Sequence, residues 1–448
     1  MRSILSKTVG AAASGRPGGS YRRGVVAVIC LSLAAALLTA CSSSSPTKSA
    51  GSSTSDPAVN LTIASNSSYQ LALPVMISDF KVKYPNANIT ATYIPSATYA
   101  SLIGSQFANG TAADIVSVSP GSASVQAVAT LGGAGYLKNL SNQPWADKIP
   151  SAYQQAMGVN GKIYLPALAT RSINAIYNTT TLKKYGLKIP TTWNDVLKLC
   201  SAASAKGIAA YSIGAATDYE SQMITYMLTA TLVPDTKKFL ADRTSGTTTF
   251  TNSAWLTVFK KEQQMLQKGC FAKDPNGTTI NAAQGEVANG QALAYFGQSN
   301  QYPTMTQLAP NQSFLATSLP ATNNPKDTEL SVAIESSYGI NAKTTGAKLL
   351  VAERFLAFMM EPAENQKLAT ALGDTPAMAD PGFVTTPGVK ALAEATQDGK
   401  TSLVADQFFP NPNVRTVWIT TSQEMWAGQA TPKDITTAMD KAWDTGNQ

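Results

Sequence analysis

Few side chains in this sequence are equipped for chemistry. Histidine is absent, which excludes Ser-His-Asp and Cys-His catalysis and histidine metal sites. Carboxylate pairs remain open to it, since two of them suffice to cleave a glycosidic bond. Yet Glu262, Glu286, Glu335 and Glu353 are scattered without paired spacing and read as solvated charges. Gly132-Gly133-Ala134-Gly135 lacks a following lysine and the strand–turn–helix frame of a phosphate loop. Four cysteines complete the set. Cys30 lies in an apolar leader, and Cys41 ends Leu38-Thr39-Ala40-Cys41, which looks like a bacterial lipobox. Cys200 and Cys270 fall in the body of the chain. In an exported protein, two such cysteines favour one disulfide over a metal site or a redox pair. No catalytic, metal or cofactor site is expected.

Composition agrees with an exported binding surface. The chain has 448 residues, 44% hydrophobic and only 14% charged, enough for two or more lobes with their own cores. The formal charge is +7, but the first 40 residues hold five of the 34 basic side chains and no acid, leaving 29 basic against 27 acidic. The positive balance is therefore mostly a targeting feature, and no nucleic-acid partner is expected. Residues 1–41 read as a signal peptide: Arg22-Arg23 end a positive region, and the apolar run from Gly24 to Leu38 is too short to span a bilayer comfortably. The arginine pair leaves general secretion and twin-arginine export both open. Residues 42–58 are Ser/Thr-rich without apolar periodicity, a flexible tether.

The elements that must position any site follow. Leu61 and Ile63 begin a strand, and Leu73, Met76, Ile77 and Phe80 share a helix face. Ile89, Ala91 and Tyr93 alternate as a second strand. Tyr99, Leu102, Ile103 and Phe107 form a helix stopped by Gly110, and 114–118 is a buried strand. This order predicts βαβ units and a mostly parallel sheet, an α/β fold. Further on, Asn160-Gly161 is a turn, and 162–165 and 173–177 are strands. Thr192-Trp193-Asn194-Asp195 has the pattern of a capping box, with Trp193, Val196, Leu197 and Cys200 on one face of the helix it opens. A strand over 209–214 and a helix over 255–268 come next, and the tail alternates helices with a loop over 408–418.

Several of these pieces resemble one family in the family's own order. They are Asn160-Gly161-Lys162-Ile163-Tyr164-Leu165-Pro166, then Tyr177-Asn178, then Gly186 with Pro190-Thr191-Thr192-Trp193-Asn194-Asp195. Tyr84-Pro85-Asn86, Gly135-Tyr136-Leu137-Lys138-Asn139-Leu140, and the stretch from Glu286 to Gly297 fit as well. The family is the extracellular solute-binding proteins of ABC importers, in the branch that includes maltose-binding protein, and the resemblance covers most of 59–445. It implies a two-lobe periplasmic-binding-protein-like (Venus flytrap) fold with a hinge and an interlobe cleft. Lobe 1 would take 59–169 and 331–378, and lobe 2 would take 170–330 and 379–448. It implies a binding protein and not an enzyme: a monomer, anchored to the cell membrane by lipid (palmitate) on Cys41. It would capture a sugar or oligosaccharide and hand it to permease subunits. A secreted glycan-active enzyme and a binder of a non-sugar solute are the other readings.

A sugar cleft needs flat aromatic faces and polar groups to satisfy buried hydroxyls, and open α/β sheets place such sites beyond the carboxyl ends of strands. Tyr69 and Ser119 follow the first and third strands; the alternatives are a tyrosine packed on its own helix and a turn serine. Tyr219, after the 209–214 strand, matches a stacking aromatic of the family. Arg171 aligns where the family places a sugar-binding carboxylate, which points to an acidic or acceptor-rich ligand. Gln298 stands where the family usually has a cleft aromatic. Ser337 and Tyr338 follow a later strand, and Trp418 falls near a stacking tryptophan; for Tyr338 and Trp418 the alternative is the core. Cys200 and Cys270 are expected to be bonded between two helices of lobe 2.

Overall fold

The computed structural model describes residues 58–445 apart from 379 and 381. Cys30, Cys41 and the expected leader and tether up to residue 57 lie outside the described residues. In chain order the strands are β1 (Val59–Asn66), β2 (Ala87–Ile94), β3 (Ile115–Val118), β4 (Gly158–Val159), β5 (Lys162–Ile163), β6 (Ala169–Asn178), β7 (Ala209–Ser212), β8 (Ala292–Gln298), β9 (Phe314–Thr317), β10 (Leu330–Ile334), β11 (Ser337–Ile340), β12 (Thr375–Pro376) and β13 (Thr401–Leu403).

Two sheets organise them. The first has the order β11-β3-β1-β2, with β1 parallel to β2 and β3 and only β11 antiparallel. Its strands alternate with the helices Leu73–Lys83 and Ser96–Asn109, the second of which ends at Gly110 in the left-handed region, φ 70°. The expected βαβ units are therefore present. The second sheet has the order β13-β10-β6-β8-β7, with β9 and β12 also on β6. It departs from the mostly parallel expectation because β6 is antiparallel to β8, β9, β10 and β12. The reason is its route. β6 runs from the first lobe into the second and so opposes β10, which runs back; β8 and β9 pair antiparallel to it within the second lobe.

Each sheet has its own core. The first gathers Leu61, Ile63, Met76, Phe80, Ile115, Phe355 and Leu356. The second gathers Tyr177, Trp193, Val196, Cys200, Tyr211, Trp255, Phe296, Trp418 and Trp443. The chain passes between them at the start of β6, at Glu335-Ser336 between β10 and β11, and after the helix Pro362–Leu372. These passages lie side by side, because Ala333 and Ile334 pair with Arg171 and Thr170, and Thr375 pairs with Thr170. They form the hinge of a two-lobe fold.

Local signals account for the second lobe's frame. Thr192 caps the helix Trp193–Ser204 by accepting from the Asp195 N–H, and its hydroxyl donates to the Asp195 carboxylate at 2.7 Å. Leu199 joins Trp193, Val196 and Cys200 on the buried face, while Leu197 is only partly covered. Cys200 is bonded to Cys270, just past the helix Ala254–Gln267. Among the described residues no helix is long and apolar enough to cross a membrane.

Candidate functional site

Beside the hinge the two lobes line a cavity of about 260 Å³, just below the usual range for small-ligand sites. The first lobe contributes Ser119, Ser124 and Gln126, from the loop after β3. The second contributes Tyr219 from the loop after β7, Gln298 from the end of β8, and Tyr226, Asp406 and Arg415. Glu335 and Ser336 of the hinge close the back. The carboxyl ends of β3, β7 and β8 thus meet here, as an open α/β sheet requires.

The wall is polar with one flat face. Tyr219 is half-buried, and burial together with Glu220 pushes its hydroxyl up to about 12, so it stays a donor at neutral pH. Gln126 donates to the Ser119 hydroxyl at 3.0 Å, while its own Oε1 and the Ser124 hydroxyl are buried without a partner. Asp406 accepts from the Tyr226 hydroxyl at 2.7 Å and pairs with Arg415 Nε at 3.0 Å. Unmatched buried oxygens cost about 1–3 kcal/mol each until a donor arrives, so the cleft is suited to a ligand with several hydroxyls.

Behind this wall lies a cluster the sequence did not reveal. Arg171 Nε and Nη2 donate to both oxygens of Asp374, at 2.8 and 2.7 Å. Nη2 also lies 3.1 Å from Glu335, and Nη1 donates to Gln298 Oε1 at 3.0 Å. Arg171 stands in β6, Glu335 between β10 and β11, and Asp374 just before β12. One guanidinium therefore ties every passage of the hinge to the cleft residue Gln298. Burial works against its charge, but Asp374 and Glu335 hold the Arg171 pKa above its usual value. Burial raises both carboxyls, and Arg171 opposes it, most firmly at Asp374, which it grips twice.

The candidates from sequence divide accordingly. Ser119, Tyr219 and Gln298 line the cavity. Arg171 does not: it is 6% exposed, within β6 and not between strands, and its donors are spent on Asp374, Glu335 and Gln298. The expectation that it selects an acidic ligand falls with that. Tyr69 is fully buried, donates its hydroxyl to the Ser336 carbonyl and packs edge-on against Tyr338. Tyr338 is itself core, its hydroxyl 2.8 Å from that of Ser65. Ser337 is buried and donates to the Pro166 carbonyl at 2.6 Å, so its neighbour Ser336 takes the cleft position. Trp418 is buried against Tyr226, Trp255 and Phe259. The expected 408–418 loop holds only up to residue 411: from Pro412 the chain is a helix, Pro412–Trp426, with Asn411 as its cap and Pro412 in its first turn. That turns Val414 and Trp418 onto one inward face.

The solvated reading of the acidic residues is also corrected. Glu262 is fully buried between Thr225 and Trp426, and Glu335 is 14% exposed. Gln126, Asp406 and Arg415 were missed; the Asn-Pro signal at 411–412, which places Arg415 one turn before Trp418, was the legible clue.

Comparison with known proteins completes the picture. Over 313 residues the chain is 23% identical to the melibiose/raffinose/stachyose-binding protein MelE of Bacillus subtilis, covering 67% of this chain and 70% of that protein. It is 27% identical over 134 residues to the multiple sugar-binding protein of Streptococcus mutans; that match spans 30% of this chain and 31% of that protein. A solved chitin oligosaccharide binding protein has the same fold, with a TM-score of 0.73 at 19% identity over 86% of this chain and 99% of that one. RafE in complex with raffinose gives 0.68 at 18% identity, over 87% and 100%. A family model described as bacterial extracellular solute-binding protein matches residues 75–397, and the chain belongs to that family.

Proposed function

We propose that the protein is the extracytoplasmic receptor of an ABC importer, capturing a sugar or oligosaccharide in the interlobe cavity and delivering it to a membrane permease. The observation that carries this reading is the wall itself: Tyr219 beside Gln298, Asp406 and Arg415 on one lobe, facing Ser119, Ser124 and Gln126 on the other. The names of the relatives support it, since they bind melibiose, raffinose, stachyose or chitin oligosaccharides. The acids behind the wall favour binding over cleavage. Glu335 and Asp374 both turn to Arg171, whereas a hydrolytic pair must flank a scissile bond. The receptor works as a monomer held to the outer face of the cell membrane by lipid on Cys41.

Thermal melting with raffinose, stachyose and chitin oligosaccharides tests the reading. A ligand at 100 times its Kd adds about 2.7 kcal/mol. The expected result is a rise in melting temperature with at least one sugar and no product on prolonged incubation. No rise with any of them, or release of shorter sugars, overturns it. Mass spectrometry of membrane-extracted protein is expected to find an acylated Cys41 as the first residue.

A further inference from the structure

The wall residues Ser119, Ser124 and Gln126 flank a tight turn, Gly121-Ser122, that touches the other side of the cleft directly. The Ser122 N–H donates to the Gln407 carbonyl at 3.0 Å, and its hydroxyl donates to the Phe409 carbonyl. Gly121 has φ 68°, and a Cβ there would stand 1.6 Å from the Gln407 carbonyl oxygen, where no real Cβ sits. The turn is fixed to the first lobe, because Gly121 donates to Ala156 at 2.7 Å and accepts from Ala129 at 3.0 Å.

The segment it meets, 404–409, is a strap across the molecule. Val404 continues the pairing of β13 with β10 by donating to Val332 at 2.9 Å. The Gln407 side chain then acts as one more rung, accepting from the Ile334 N–H at 3.2 Å and donating to its carbonyl at 2.7 Å. Phe409 is buried in the second core, while Phe408 leans on the first. Asp406, between these anchors, is a cleft wall.

We infer that Gly121-Ser122 and the strap 404–409 form a latch that sets the spacing of the two cleft walls, which makes Gly121 and Ser122 positioning residues for ligand capture. The wall residues sit within four positions of the latch on one side and next to it on the other, so parting the latch parts the walls. A ligand that bridges the walls favours the latched state, and by linkage the latch favours the ligand.

Hydrogen exchange on the ligand-free full chain tests the latch without reference to any sugar. In Ser122→Ala and Gly121→Ala, peptides covering 119–126 and 404–409 are expected to exchange about tenfold faster than in the parent, with peptides of β1 and β8 unchanged. Ser122→Thr keeps both donors and is expected to retain parental exchange. If Gly121→Ala does not fold, Ser122→Ala decides alone. Exchange as slow as the parent's in the alanine variants that fold overturns the latch, as does fast exchange in Ser122→Thr. The affinity arm rests on the proposed function: raffinose binding measured by calorimetry is expected to weaken about tenfold in Gly121→Ala. Undiminished affinity there overturns the positioning role. If raffinose fails to bind the parent, exchange still decides the latch, and only the sugar reading suffers.

Discussion

Replacing Arg171 by methionine leaves Glu335 and Asp374 facing each other behind the cleft with no counter-charge. Breaking a buried ion pair from one side typically costs about 3–5 kcal/mol. Denaturant titration of Arg171→Met is expected to show a loss of that order, and Arg171→Lys should restore little, since an ammonium cannot grip Asp374 twice. A variant as stable as the parent would mean that the cluster contributes nothing net. Glu262 gives a second test at the same scale. Burial pushes its carboxyl up to about 7, only partly opposed by the Trp426 and Thr225 hydrogen bonds. A carboxyl raised on folding contributes its stability fully below the unfolded value, near 4.5, and loses it as pH rises through about 7. A tenfold change in proton affinity is worth about 1.4 kcal/mol. Glu262→Gln is therefore expected to match the parent at pH 4.5 and to exceed it by about 1–3 kcal/mol at pH 8, measured by urea unfolding. Equal stability at both pH values would place the titration elsewhere. The sequence announced neither role, because a lone Arg or Glu carries no local sign of what the fold will bring to it: Asp374 lies 203 positions from Arg171.

Elements were more legible than residues. Alternation and helical period gave β1, β2, β3 and the helices between them, because each repeats over several residues and is enforced by one core. The Thr192 cap and the Gly110 stop were readable for the same local reason. The second sheet's reversed β6 was not, since strand direction depends on where the chain has come from. Trp418 was misplaced because a tryptophan in a short stretch that mixes apolar and polar residues looks alike in a loop and on an inward helix face. The Cys200–Cys270 bond was readable once Cys30 and Cys41 were set aside to the leader, and it ties the helix Trp193–Ser204 to the segment just past the helix Ala254–Gln267, across 70 positions. In the chain-entropy view such a closure adds about 4 kcal/mol. Unfolding with and without reductant is expected to differ by up to that amount. An identical midpoint after verified reduction would show the bond to be incidental.

At the scale of the whole molecule, the cleft should be separable from the cores. Tyr219 lines the cavity and only packs on the edge of the second core, which is filled by Trp255, Phe259, Phe296 and Trp418. Tyr219→Ala is expected to weaken sugar binding by about 1–3 kcal/mol, the usual worth of a contact aromatic, and to lower melting of the free protein by only a few degrees, since its ring rests on the edge of the core. Calorimetry and a melt on the same sample decide it; unchanged affinity would place the ligand away from the β7 loop. The hinge cluster has one more consequence, in the order of events at birth. As the chain is made, Arg171 emerges long before Glu335 and Asp374. At about 5–20 residues per second, the guanidinium waits roughly ten seconds or longer for its second carboxylate. The first lobe waits as well, because β11 and the helices Gly346–Met359 and Pro362–Leu372 belong to its core. The chain therefore remains without its hinge and without a complete first lobe until most of its length exists, which prolongs the interval in which the apolar surface of that lobe stays uncovered.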